Sequence, residues 1–226
     1  MSQTMEKSMS ELEEITATLM ELDEERTLQL VREAIDNQSP PLSILHACQE
    51  GMDEIGSRFE KGDCFVSDLI MSGEIFKQIS TILDPLLAGS GIEPIGKVVF
   101  GTVKGDIHDI GKDIVVNMLK SSGFEVIDLG VDVPAARFVT ALKESGATVL
   151  GMNGLLTLAF DSMKETVNAV AVAGLRDKVR IMVGGGPVDG NVCKVVGADD
   201  WGADAQQAVR LSKQWLAQAV SATAAC

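Results

Sequence analysis

The sequence predicts an α/β protein in two parts: a four-helix bundle over residues 1–89, a linker at 90–96, and a five-stranded parallel sheet with helices on both faces over residues 97–226. Three observations carry this prediction. Apolar residues recur at helical spacing through the front of the chain. Beyond it, short β-rich runs alternate with helical segments. Between the two, Ser90-Gly91-Ile92-Glu93-Pro94-Ile95-Gly96 interrupts both patterns with glycine and proline.

The elements follow in order. Leu12, Ile15, Leu19 and Leu22 form one helical stripe, and Leu28, Val31 and Ile35 form a second. Two further helices are expected at about 41–60 and 66–88, and four such helices suggest a small bundle. The β-rich runs lie near 97–103, 125–129, 148–152, 180–184 and 198–201. Five parallel strands fit best the flavodoxin-like order 2-1-3-4-5, whose switch point falls at the loop after the first strand.

Composition bounds the function. At 226 residues and 46% apolar, the chain can fill two small cores or one large one. Its 19 basic against 33 acidic residues argue against nucleic acid or an anionic membrane as a partner. No apolar run reaches spanning length, and Met1-Ser2-Gln3-Thr4-Met5-Glu6-Lys7 lacks a signal core, so a cytoplasmic location is expected. Cys48, Cys64, Cys193 and Cys226 show no C-x-x-C pairing and read as free thiols. His46, beside Cys48, reads as a surface or boundary residue.

The other histidine sits in Gly105-Asp106-Ile107-His108-Asp109-Ile110-Gly111-Lys112, between the run Val98-Val99-Phe100-Gly101-Thr102-Val103 and a helix marked by Ile110, Ile114, Val115 and Leu119. An α/β sheet places its chemistry at such a strand-to-helix turn. An imidazole held through one nitrogen by Asp106 is oriented and made more basic, which suits a metal ligand. A lone Asp-x-His is more simply a polar loop whose aspartate caps the next helix. The downstream spacing separates the two readings: 41 residues lie between Gly111 and Asn153-Gly154-Leu155, and 28 more between Leu155 and Gly184-Gly185-Gly186.

Those three anchors resemble the signature Asp-x-His-x-x-Gly, Ser-x-Leu, Gly-Gly of the corrinoid proteins of anaerobic multi-component methyltransferase systems, which are similar to the cobalamin-binding module of methionine synthase. The stretch from Gly51 to Gly62 and Met71-Ser72-Gly73-Glu74 look like the helical cap that precedes that domain. The resemblance implies a Rossmann-like cobalamin-binding domain and, as cofactor, cobalamin or a related corrinoid bound base-off, with His108 on cobalt in place of the benzimidazole and Asp106 behind it. It implies cofactor contacts from Gly105, Ile107, Asp109, Ile110 and Gly111. The nucleotide tail would run beside Asn153, Leu155, Thr157, Gly184, Gly185 and Gly186. Phe65, Val66, Leu69, Ile70 and Met71 would cover the reactive face and exclude water from it. Two positions depart from the pattern. Asn153 stands where the serine is usual and is expected still to offer an amide to the tail. Ala159 stands where a hydroxyl often extends the aspartate-histidine relay, so the relay is expected to end at Asp106 or a water.

The implied function is a carrier, a non-autonomous corrinoid subunit. It would take a methyl group from a methoxyaromatic, methylamine, betaine or methanol by way of a substrate:corrinoid methyltransferase. A methylcorrinoid:acceptor methyltransferase acting on tetrahydrofolate or a thiol would receive it, and a reductive activase would be the third partner. Since one face cannot be both shielded and presented, the cap is expected to swing on residues 90–96. A corrinoid-binding sensor or regulator is the rival reading, although no basic recognition helix is present. The small subunit of a carbon-skeleton mutase is a third, which the helical cap disfavours.

Overall fold

The computed structural model describes residues 2–87 and 93–224. Its contacts divide the chain into two compact units, Met1–Glu93 and Pro94–Cys226. Within the expected linker and hinge at 90–96, residues 90–92 lie outside the described residues.

The first unit holds α1 (Ser2–Met20), α2 (Glu24–Asp36), α3 (Pro41–Lys61) and α4 (Val66–Leu87). Local chemistry sets their ends. Asp23 caps α2 by accepting from the Arg26 N–H, Pro41 opens α3 where its missing N–H is not needed, and Gly62 closes α3 in the left-handed conformation. From the expected stripes, Ile15, Leu19, Leu28 and Val31 are buried, while Leu12, Leu22 and Ile35 stay at the half-buried margin. Gly51 lets α1 and α3 approach closely, since a Cβ there would stand 3.0 Å from Leu19.

The second unit alternates β1 (Lys97–Thr102), α5 (Ile110–Ser121), β2 (Glu125–Asp128), α6 (Ala135–Ser145), β3 (Val149–Asn153), α7 (Ala159–Val172), β4 (Arg180–Gly184), α8 (Gly190–Val196), β5 (Asp200–Gly202) and α9 (Ala205–Ala224). All strand pairings are parallel and the order is β2-β1-β3-β4-β5, as expected from the sequence. β1 and β3 are covered on both faces, so they read as continuous apolar runs without alternation. Phe138, Leu142, Leu150, Met152, Met163 and Ile181 belong to one buried cluster between the sheet and its helices. β1 stops at Thr102, one residue short of the expected run, because Val103 leaves the ladder for a single bridge with Val133. That departure opens the loop carrying His108.

Among the described residues no helix is long and apolar enough to cross a membrane. Cys48, Cys64 and Cys193 are free. Cys226 lies outside the described residues.

Candidate functional site

The site is built on the loop between β1 and α5, at the carboxyl end of the sheet. Gly105 turns the chain there with φ +84°, a conformation that glycine takes without a Cβ clash. Asp106 is fully buried. Its Oδ1 accepts from the His108 backbone N–H (3.0 Å) and meets His108 Nδ1 at 2.7 Å, and its Oδ2 accepts from the N–H groups of Leu155 (2.6 Å) and Leu156 (3.0 Å). Burial by itself would push this carboxyl up. The hydrogen bonds from His108 N–H, Leu156 N–H, the His108 ring and Leu155 N–H outweigh it and hold the pKa down to about 2.

The tautomer follows. An ionised carboxylate can only accept, so Nδ1 carries the proton and donates it to Asp106. Nε2 keeps its lone pair, has no protein partner among the described residues, and belongs to a side chain 46% exposed. A nitrogen so presented can serve as a ligand whose orientation is already set.

The loop is braced from two sides. Toward β3, Thr102 Oγ1 donates to the His108 carbonyl (2.9 Å), and Asn153 Nδ2 donates to Thr102 Oγ1 (3.0 Å) and to the same carbonyl (3.3 Å). The Asn153 Nδ2 donors are thus engaged inside the protein, because β3 ends directly beside β1. Toward β2, Asp132 accepts from Gly105 N–H and Lys112 reaches Asp128 (2.6 Å) and Asp113. The Lys112 side chain is only 4% exposed. Burial would lower its pKa, but the two carboxylates prevail and raise it. Thr102, Lys112, Asp128 and Asp132 were not singled out from the sequence. Lys112 did carry a signal, being a cation in the first turn of a helix, where the macrodipole disfavours it.

The other sequence-predicted residues divide into groups. Gly154 N–H donates to the Gly184 carbonyl (3.0 Å), which continues the contact of β3 with β4 one residue past the end of β3. Gly185 sits at φ +131°, and a Cβ there would fall 2.1 Å from the Gly154 carbonyl oxygen. Gly184 and Gly186 flank it. Leu155 and Thr157 are exposed above this bare seam. Ile107, Ile110 and Leu158 stand 73%, 68% and 78% exposed around the same strand ends, an apolar display that asks for a cover. Asp109 precedes α5 without a side-chain capping bond, and Gly111 lies in the first turn. Ala159 is buried at the start of α7, and both Asp106 oxygens end on protein donors.

In the first unit, Phe65, Val66, Ile70 and Met71 are exposed, but Leu69 is 3% exposed. Leu69 is thus corrected from a cover residue to a core residue, since helical spacing turns it inward among the bundle's apolar side chains. His46 is exposed, in a groove with Glu13 and Glu50.

Among the described residues no cluster of three or more histidine, cysteine or carboxylate side chains could enclose a metal. A projecting imidazole with one ring nitrogen unengaged fits a metal that arrives with its remaining ligands, in a flat macrocycle. The bare glycine seam and the exposed apolar rim fit the rest of such a group.

A B12 binding domain model matches residues 96–210, and a second B12 binding domain model matches residues 11–84. The dimethylamine corrinoid protein of Methanosarcina barkeri is 35% identical over 207 residues, 91% of this chain and 97% of that protein. A cobalamin-binding protein from Desulfitobacterium hafniense DCB-2, known from its crystal structure, is 39% identical with a TM-score of 0.74, over 90% of this chain and 98% of that one. The methanol:cobalamin methyltransferase complex MtaBC from Methanosarcina barkeri contains a chain that is 25% identical with a TM-score of 0.79, over 90% of this chain and 78% of that one.

Proposed function

The chain belongs to the B12-binding family of corrinoid proteins, and on that premise we propose that it is a methyl carrier whose His108 Nε2 is the protein ligand of a corrinoid cobalt, in place of the cofactor's own base. The carrying observation is the Asp106–His108 pair at 2.7 Å, with Nδ1 as donor and Nε2 directed outward. When bound, the corrinoid supplies a nucleophilic cobalt that accepts a methyl group and releases it again.

The chain's own residues bind, orient and shield. Asp106 holds the imidazole and stays ionised while doing so, because its other donors are backbone N–H groups that do not titrate. The seam of Gly154, Gly184, Gly185 and Gly186 leaves room for the nucleotide tail, with Leu155 and Thr157 at its edge. Ile107, Ile110 and Leu158 give apolar contact to the macrocycle. Phe65, Val66, Ile70 and Met71 are the cap residues available to keep water from the reactive face.

The partners are a substrate:corrinoid methyltransferase, a second methyltransferase acting on tetrahydrofolate or a thiol, and a reductive activase. The methyl donors that the relatives support are small methylated compounds of the methylamine and methanol type. The chain acts as the corrinoid subunit of such a system.

The test is reconstitution with hydroxocobalamin and nitrogen-15 histidine, followed by paramagnetic resonance of the cobalt(II) state. Hyperfine coupling from the label is expected in the unmutated protein and is expected to vanish in His108→Ala, which keeps part of its affinity through the tail. An unmutated protein without that coupling overturns the assignment.

A further inference from the structure

On the β2 side, the histidine loop is held by residues outside the motif. We propose that Asp132 is a positioning residue for His108: it grips the Gly105–Asp106 step from both ends and so fixes the carboxylate that aims the imidazole. The inference rests on the reading of His108 as the cobalt ligand.

Asp132 has φ +53°, and among the described residues it is the only non-glycine of the second unit with positive φ. Aspartate is one of the few residues that tolerates this conformation. Here it gives two aligned bonds. The Asp132 N–H donates to the Asp106 carbonyl (2.9 Å), and its Oδ1 accepts from the Gly105 N–H (2.8 Å). An extended backbone at 132 would turn the N–H or the carboxylate away from that step. Gly105 opposite it is left-handed as well, so the two segments meet through two matching turns.

The grip is itself anchored. Thr102 N–H donates to the Gly130 carbonyl (2.9 Å) and Val133 N–H to the Thr102 carbonyl (3.0 Å). Gly130 N–H donates to Asp128 Oδ1 (2.9 Å), and Asp128 Oδ2 accepts from Lys112, which stands four residues beyond His108. The 128–133 segment therefore reaches both flanks of the histidine. Asp106 is held by its backbone from this side and by its Oδ2 from Leu155 and Leu156 on the other. Its remaining oxygen has one direction left in which to hold the ring.

The test separates backbone from side chain. Asp132→Gly keeps the left-handed conformation and the N–H but removes the acceptor; Asp132→Asn keeps both. In the cofactor-free protein, amide exchange at Gly105, read by NMR, is expected to rise about tenfold in Asp132→Gly, the size of one lost hydrogen bond, and to stay unchanged in Asp132→Asn. After reconstitution with hydroxocobalamin, the fraction of cobalt(II) that shows the labelled-histidine coupling is expected to fall about tenfold in Asp132→Gly, the low end for partners that orient a metal ligand, with full recovery in Asp132→Asn. Exchange at Gly105 in Asp132→Gly that equals the unmutated rate overturns the grip, whatever the cobalt spectrum. Undiminished coupling in Asp132→Gly overturns the positioning role. Coupling absent from the unmutated protein overturns instead the ligand reading beneath it.

Discussion

Two aspartates sit at opposite ends of the sheet, and they do different work with the same carboxylate. Asp106 lies past the carboxyl end of β1; Asp199 lies just before β5, at the amino end. Both are withdrawn from water, Asp106 completely and Asp199 with a side chain 15% exposed. Asp199 accepts from Ile181 N–H (2.7 Å) and pairs with Arg176 (2.9 Å) and Arg180 (3.3 Å). Its charge is answered by permanent cations, so the cluster is a tie between loops and little else. Asp106 is surrounded by neutral donors: three backbone N–H groups and one ring nitrogen. Its charge is solvated by dipoles but not cancelled. That leaves a field for the imidazole to answer, where the arginines leave none at Asp199.

The sharpest way to break this comparison is Asp106→Ala. Three backbone N–H groups lose their acceptor at about 1 kcal/mol each, so urea denaturation should show a loss of about 3 kcal/mol. Corrinoid affinity should fall roughly 10–100-fold through the unsupported histidine, measured by spectral titration. Lys112→Met comes next. It strands the partly buried Asp128 carboxylate and should destabilise by about 2 kcal/mol, below the 3–5 of a fully buried pair because Asp128 keeps some water. Asp199→Ala should remove only about 1 kcal/mol, since its arginines can turn to solvent, and corrinoid affinity should be unaltered.

A pH series sharpens the contrast further. With its pKa held to about 2 in the fold, against about 4 when unfolded, Asp106 binds its proton first in the unfolded chain as pH falls. Its contribution is therefore complete above about pH 4 and is lost as pH drops toward 2. The stability gap between the unmutated protein and Asp106→Asn should close across that window; a gap that does not change with pH would contradict an ionised, hydrogen-bonded Asp106. The smallest effect is expected for Arg180→Ala, whose side chain is 57% exposed. It should shift stability by about 0.5 kcal/mol or less, and the shift should shrink in 1 M salt.

Legibility in the sequence followed range. Strand runs and helical stripes are short-range patterns, and they predicted the five-stranded order with ends displaced by one or two residues, as at Thr102 and Asp200. The Asp106–His108 contact spans two positions and could be read the same way. Leu69 could not be told from Phe65 or Met71, because an apolar side chain on an amphipathic helix serves a core and a cover equally well until its neighbours are in place. Asn153 was visible as a substitution within a motif, but its engagement with Thr102 and His108 depends on strand adjacency.

The amino-acid order by itself determined the two-part α/β plan, the turn at Gly105 and the pairing of His108 with Asp106, all of which rest on local spacing and residue type. Tertiary structure alone decided what holds Asp106. Its Oδ2 meets N–H groups 49 and 50 residues away, and the Gly105 N–H meets a carboxylate 27 residues away. The physical reason is that the β2-β1-β3 order sets two distant loops against the histidine loop. The donors from the β3 side are backbone amides, which every residue but proline carries and no residue type reveals.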